Sequence, residues 1–523
     1  MDDPSEQTMS NPDQPSSVVP ARPVNRLRPA VALFCLVLAC GGKKPADNAT
    51  GPTGGDDRGS DSGGQQSGAN STANGNGAGA SSTGTGGANG QRASSSANAR
   101  IALGVQAGSP LGDHAHVVID DGSGGAYVGH LVRRDRKDVV NTRPGDRRLV
   151  LEGAEGAYIS HYGADYHRQT RFILEDIHFI DAIARHPGSG DLFIAAEEHY
   201  YPRKQKQTRL RLLHYTRDGV KRSHDLDKKL LTKLPKRPQQ HRIADLTIDD
   251  TGDLYAAVEV TRRSRKRGRA GDVELAVARI STTGAIRWYQ RIAAKGERSQ
   301  DGLTAIALTP TGQVVVAGHT GGTLAGAEAS RGDLDLFVQV YDGDSGKLQW
   351  TSTHGTDKRE QAHDVAVAAD GSIVLVGSTA GQLFGAPRGD DDALILTVGK
   401  DGAQAWGEQL GTGHADVFHA VTITGKGAIL AIGETHGQLT LERPTSGDSG
   451  IDVLLAGYTP AGIRSWMFQT GTDKPDHAAA IAASAKGGAH ALFDTLGSFQ
   501  GMGQRATPGK PPPRDMVLLR IRD

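Results

Sequence analysis

Residues 362–406 read AHDVAVAADGSIVLVGSTAGQLFGAPRGDDDALILTVGKDGAQAW, and this stretch decides the fold. Val365-Ala366-Val367, Ile373 to Val376 and Ala393-Leu394-Ile395-Leu396 are apolar runs of five residues or fewer, each closed by a glycine turn. Runs that short suit strands joined by tight hairpins, not helices. Asp370-Gly371 and Asp401-Gly402 have the composition of two-residue type I′ turns. The stretch ends in Gly-x-x-x-Trp, which recurs at Gly284 to Trp288, Gly346 to Trp350, Gly402 to Trp406 and Gly462 to Trp466. Trp288, Trp350, Trp406 and Trp466 are the only four tryptophans, spaced 62, 56 and 60 residues apart. A four-stranded unit of about 60 residues is therefore repeated, and the tryptophans belong to its frame.

Seven units follow from the glycine that ends each first hairpin: Gly125, Gly190, Gly252, Gly312, Gly371, Gly427 and Gly487. The strands before these turns, such as Ala305-Ile306-Ala307 and Ala479-Ala480-Ile481, favour the small residues that crowding around an axis demands. The second strands, such as Val314-Val315-Val316, are apolar on both faces, as in a sheet stacked between two neighbours. The seventh unit ends on a third strand, Met516 to Ile521, while a spare strand, Arg100 to Val105, precedes the first. Pairing the two closes a ring with no raw edge. The expected fold is all-β: a seven-bladed propeller of four-stranded blades over residues 101–523, its last blade completed by an N-terminal strand.

Ahead of the ring, Arg22, Arg26 and Arg28 lead into the ten-residue apolar run Ala30 to Ala39, then Cys40. That run is too short to span a bilayer but fits the apolar region of an export signal. Val37-Leu38-Ala39-Cys40 resembles the bacterial lipobox, which implies lipidation of Cys40 and anchorage in a membrane. The alternative is an ordinary signal cleaved near Gly41. Residues 1–40 are thus expected to be a signal peptide, and 41–100, without one Val, Ile, Leu, Met, Phe, Tyr or Trp, a disordered linker. As a Gly/Ser-type coil it would reach roughly 40 to 45 Å. Export to the cell envelope, at the outer membrane or cell surface, is the expected address.

From Leu303 to Asp494 the order Gly-Ser/His-Thr, Gly-rich connection, Asp-x-(Phe/Leu), Gly-x-x-x-Trp, Gly-Thr and a following Asp recurs. This pattern, over about two fifths of the chain, resembles the seven-bladed beta-propeller repeat family of bacterial surface proteins. The resemblance implies a propeller and a surface location, and no shared chemistry. In the first units the pattern departs, with His167 and Ser223 near the tryptophan slot. Asp342 to Trp350 also resembles the repeat of pyrroloquinoline quinone propellers, where the motif is a dock between blades. No convergent cofactor-binding set accompanies it, so no cofactor is expected.

Candidate chemistry is sparse. Asp342, Asp344, Asp390, Asp391 and Asp392 lack the spacing of a calcium loop. His114 with His116, and His414 with His419, lack the partners of a zinc site, and no metal is expected. His363 and His419 share one repeat position, which suggests packing. There is neither a nucleophile elbow nor a phosphate loop.

Charge is balanced overall, with 59 Lys+Arg and 59 Asp+Glu, so any signal lies in its distribution. Strand parity puts the hairpins at one end of the ring and the second-to-third-strand connections at the other. In the first three units those connections carry Arg133, Arg134, Arg136, Lys137, Arg147 and Arg148, then Arg203, Lys204 and Lys206, then Arg262, Arg263, Arg265, Lys266, Arg267 and Arg269. In the fifth and sixth they carry Asp390, Asp391, Asp392, Glu442 and Asp448. The last basic cluster is the candidate contact for a polyanion such as an acidic polysaccharide. Nucleic acid is disfavoured because export removes the domain from it and the cluster has no aromatic residue for stacking.

The expected function is a monomeric, surface-tethered binding or interaction module, with a polysaccharide or protein partner. The alternative is an extracellular polysaccharide lyase or hydrolase working at the central channel. Carboxylates, histidines or tyrosines clustered at the channel mouth would favour the enzyme; a bare channel with a charged rim would favour binding.

Overall fold

The computed structural model of the protein describes residues 100–108, 112–132, 155–200, 207–216, 221–226, 238–262, 273–295, 301–328, 330–440, 450–501 and 514–523. Seven four-stranded antiparallel sheets account for almost all of them. Their innermost strands are Asp113–Asp120, Ile177–Arg185, Pro238–Ile248, Gly302–Leu308, Glu360–Val367, Asp416–Ile423 and Asp476–Ala483, which define blades 1 to 7 of a β-propeller. Each is followed outward by a second, third and fourth strand. In blade 7 the fourth strand is Ile101–Ala107, paired antiparallel with Asp515–Ile521, so the N-terminal strand closes the ring as expected.

The second and third strands are buried on both faces: every residue of Val314–Thr320, Asp335–Tyr341, Ile373–Thr379 and Asp392–Val398 is buried. Their side chains form cores between adjacent blades, for example Val374, Val376, Ile395, Phe418, Val421 and Leu454 between blades 5 and 6. The ring is thus held by sheet-on-sheet packing without a wet face.

The tight turns differ from type I′. At 368–372 the amide of Gly371 bonds the carbonyl of Ala368, and the amide of Ala368 bonds that of Ser372, enclosing three residues. Gly371 alone has positive φ, at 88°, where type I′ needs it at both central residues. A type I turn followed by a left-handed glycine satisfies these bonds, and Asp370 contributes a carboxylate that accepts from the amide of Ser372 at 2.9 Å.

Antiparallel order puts these turns at one end of the ring and the second-to-third-strand connections at the other. The chain enters at the turn end: the amide of Arg522 donates to the carbonyl of Arg100 at 2.9 Å, and Asp523 reaches Lys426 at 3.0 Å and the amide of Gly488 at 2.9 Å.

Candidate functional site

The repeated motif residues are occupied by the scaffold. Gly346, Gly402 and Gly462 have φ of 68°, 83° and 82°, and a Cβ on each would stand 2.7, 3.0 and 2.5 Å from Trp288, Trp350 and Trp406 of the preceding blade. Each tryptophan therefore seats beneath the next blade's glycine turn, and the indoles of Trp288 and Trp350 donate to the carbonyls of Gly343 and Lys400. At Trp466, where the ring closes, the Arg100 guanidinium lies 5.3 Å from the indole centroid. The Gly-Thr and following acid form another clasp: Thr356, Thr412 and Thr472 donate backbone amides to Glu360, Asp416 and Asp476 at 2.7, 2.6 and 2.6 Å. The Asp-x-(Phe/Leu) aspartates accept from fourth-strand glutamines, Gln409 to Asp392 at 2.7 Å and Gln469 to Asp452 at 2.6 Å.

Residues that break the repeat lie elsewhere, on the innermost strands. Every one of the seven carries a bulge at the same register, with His116, Asp181, Ala244, Thr304, His363, His419 and Ala479 as the extra residue. A bulge leaves local backbone groups outside the ladder and re-aims a side chain. Near this register the second strands carry Leu131, Glu197, Glu259, His319, Ser378, Glu434 and Asp494. Scaffold positions repeat throughout, whereas here His recurs only at 116, 363 and 419 and Glu only at 197, 259 and 434. Leu131, Ala244 and Ala479 apart, the residues at this register make a polar wall on the innermost and second strands, towards the end of the ring opposite the tight turns.

Several wall carboxylates bind the next blade. Asp245 accepts from the amide of Ile306 at 2.9 Å, Asp364 from Val421 at 2.9 Å, Glu259 from Leu303 at 3.0 Å and Asp494 from Ala115 at 2.6 Å. Burial pushes Asp245 up to about 6. Burial and the charge of Asp245 push Asp364 up to about 7. Burial lifts Asp494 to about 8 against the pull of Arg514 and the Ala115 amide.

Two sectors hold more than clasps. In blades 5 to 7 the rings of His363 and His419 stack at 5.6 Å and 9°. Glu434 Oε1 lies 3.5 Å from both His419 Nε2 and His477 Nδ1. Burial would raise the Glu434 carboxyl, but the two imidazoles outweigh it and hold it below the ordinary range. Burial, with His419 beside it, lowers His363 to about 3, so that ring is neutral. In blades 2 and 3 the Asp181 side chain is wholly buried and its two oxygens have no hydrogen-bond partner. Arg242 Nε lies 3.9 Å away, while its Nη1 bonds Glu259 at 2.9 Å.

Of the sequence candidates, Arg262 ends the second strand of blade 3, in register with Pro238. Arg263, Arg265, Lys266, Arg267 and Arg269 lie outside the described residues, as do Cys40 and the rest of 1–99. Both carboxylate oxygens of Asp391 accept from the one Nη2 of Arg359, at 3.0 and 2.8 Å, and Asp392 accepts from the Arg388 amide. Among the described residues no three His, Cys, Asp or Glu side chains converge to hold a metal ion. Sequence reading passed over Asp181, Glu197, Arg242, Asp245, Glu259, Glu434 and His477. A signal was present for Asp181 and Asp245, which stand where other units carry alanine (Ala244 and Ala479; Ala182, Ala305, Ala420 and Ala480), but Glu197, Glu259 and Glu434 stand at a position that is polar in nearly every unit.

No family model and no curated relative matches this chain. Solved structures of similar trace include a luciferin-regenerating enzyme at 11% identity, covering 71% of this chain and 99% of that one with a TM-score of 0.35. The Neurospora crassa Pan2 WD40 domain matches at 10%, covering 63% and 91% with a TM-score of 0.32. A gluconolactonase from Xanthomonas campestris matches at 13%, covering 64% and 88% with a TM-score of 0.31.

Proposed function

We propose that the protein is an envelope-tethered binding module that takes an acidic polysaccharide at the connection end of the ring. What supports this reading is that the second strands of blades 1 to 3 all end, at Val132, Tyr200 and Arg262, on the side of their sheets opposite the tight turns, and the sequence after each is rich in Lys and Arg. The Cys40 lipid and the linker would hold the ring at the membrane as a monomer. Commitment of Asp245, Asp364, Glu259 and Asp494 to neighbouring amides supports binding over catalysis, since groups that close the ring are poor candidates for proton transfer.

Neutralising a polyanion releases its counterions, so affinity should fall linearly in log salt. Titrating the full chain with an acidic polysaccharide, beside anionic liposomes, across a salt series tests the reading. Changing Arg262, Arg263, Arg265, Lys266, Arg267 and Arg269 to Ser should make the slope shallower. Equal slopes, or no polysaccharide binding at roughly 20 mM salt, where the Debye length is about 20 Å, would reject it.

A second reading, a polysaccharide lyase or hydrolase at the channel, is supported by one observation: a buried, ionised Glu434 beside two imidazoles, the part-buried His419 and the buried His477. A carboxylate orienting histidine is a general-base arrangement. Glycan-cleavage assays on the full chain and on Glu434→Gln test it; no cleavage by the parent would reject it.

A further inference from the structure

We propose that the cleft between blades 4 and 5, at the tight-turn end of the ring, is a binding site for one neutral pyranose unit, in which the Trp350 indole takes an apolar face of the sugar ring and the flanking turns take its hydroxyls. The cleft encloses a cavity of about 180 Å³. Its apolar lining is Trp350 with Val340 and Ile373, the last two only 1% exposed. Its polar lining comes from the first-hairpin turns of the two blades, with Thr309, Thr311 and Gln313 on one and the exposed Asp370 on the other, and from the exposed Lys400.

The cavity exists because blades 4 and 5 lack the side chains that cover the tryptophans elsewhere. In blade 3 the third-strand residue in register with Trp288 is Arg279, which bonds Asp253 at 2.9 Å and crosses to the Gly343 carbonyl of blade 4 at 3.2 Å. That carbonyl also takes the Trp288 indole, as the Lys400 carbonyl takes that of Trp350. In blade 4 the residue in register with Trp350 is Val340, too short to cross, and Gln313 closes its turn where Asp253 closes that of blade 3. Tyr458 of blade 6 stacks on Trp406, whereas the corresponding residue of blade 5, in one core with Trp350, is Val398.

Charge, shape and hydrogen bonding in the lining all select a sugar. Asp370 and Lys400 offset one another, so neither a net anion nor a net cation is favoured. Two hydroxyls, an amide, a carboxylate and an ammonium supply both donors and acceptors beside an apolar surface. A pyranose has the complementary pattern, with C–H groups on its faces and hydroxyls, each donor and acceptor, around its edge. The volume is below the roughly 300 to 1,000 Å³ of drug-sized pockets and suits one ring, not a chain of them. The cleft lies at the end of the ring opposite the Lys- and Arg-rich sequence, so this proposal goes beyond the polyanion reading and does not depend on it.

Titration of the isotope-labelled full chain with the methyl glycosides of glucose, galactose, mannose and N-acetylglucosamine tests the site through the four tryptophan indole N–H resonances, that of Trp350 being assigned from Trp350→Phe. Sorbitol, which has the hydroxyls of a hexose but no ring, is the control. At least one glycoside should shift the Trp350 resonance saturably, and sorbitol should not. Val340→Arg with Gln313→Asp gives blade 4 the pair that fills the cleft of blade 3 and should abolish binding. Gln313→Ala removes one hydrogen-bonding side chain and leaves the frame, and should weaken binding about fivefold, the scale of one neutral hydrogen bond. Thr251→Ala, in the corresponding turn of blade 3, should bind like the parent. No shift of the Trp350 resonance with any of the glycosides up to about 10 mM, an equal response to sorbitol, or unchanged affinity in Gln313→Ala would each overturn the proposal. So would binding that survives the double substitution in a folded protein.

Discussion

Replacing Gly462 with alanine measures how strongly one blade docks on the last. Gly462 has φ of 82°, and a Cβ there would lie 2.5 to 2.8 Å from the Trp406 ring. Real Cβ atoms do not approach that closely, so the indole or the turn must shift. Trp406 has little room, since it stacks on Tyr458 at a centroid distance of 5.8 Å. Gly312 supplies the control: its φ is 80°, and a Cβ there meets nothing within 4 Å. Both alanines pay the left-handed backbone cost, about 1 to 2 kcal/mol. Only Gly462→Ala adds overpacking, about 1 to 3 kcal/mol. Urea denaturation of the full chain should therefore show Gly462→Ala less stable than Gly312→Ala by about 1 to 3 kcal/mol, the overpacking cost alone. Equal losses would mean that the tryptophan does not seat under the glycine, and that this motif is decoration.

Deleting Ile101–Ala107 should abolish cooperative unfolding or cause aggregation, because it bares the edge of Asp515–Ile521; a truncated ring that melts like the parent would refute closure. Asp181→Leu should raise stability near pH 8 by about 1 to 4 kcal/mol, since it replaces a buried carboxyl that has no hydrogen-bond partner by an apolar side chain of similar size, and a lower melting temperature there would refute it. Asp364 is lifted from 3.8 to about 7 in the folded state, so its contribution is fully present below pH 4 and lost as pH rises towards 7. The melting temperature of Asp364→Asn relative to the parent should accordingly climb between pH 4 and 8; a flat difference would show that the carboxyl is not perturbed. His363, depressed to about 3, contributes in the opposite sense, its stability present above pH 6.5 and lost as pH falls through 3, but it is common to both proteins and cancels in the comparison.

The ring was legible because its frame repeats. Gly346 and Trp350 recur as Gly402 and Trp406, and the physics behind them, a left-handed turn over an indole, leaves few substitutes. The spare strand Ile101–Ala107 and the unpaired edge of Asp515–Ile521 were legible as complements. The wall was not, because its residues are identified by departing from the repeat: Asp181 stands where other units have Ala244 or Ala479. Only the paired register shows that these positions correspond and that Asp181 meets Arg242 of the next blade. The turn type was misread because Asp-Gly fits both a two-residue I′ turn and a three-residue turn ending in a left-handed glycine, and composition does not count the residues between the closing bonds.

On the proposed reading the acidic wall and the Lys- and Arg-rich sequence that follows the second strands of blades 1 to 3 carry opposite charge, and this limits how a ligand can lie. Asp181, Glu197, Asp245, Asp364, Glu259, Glu434 and Asp494 make the channel wall acidic, with Arg242 and histidines as the interspersed bases. A polyanion drawn to the Lys and Arg of the first three connections would meet repulsion on entering the channel, most strongly above pH 7, where the raised carboxyls of Asp245 and Asp364 are charged. It would therefore lie across the rim.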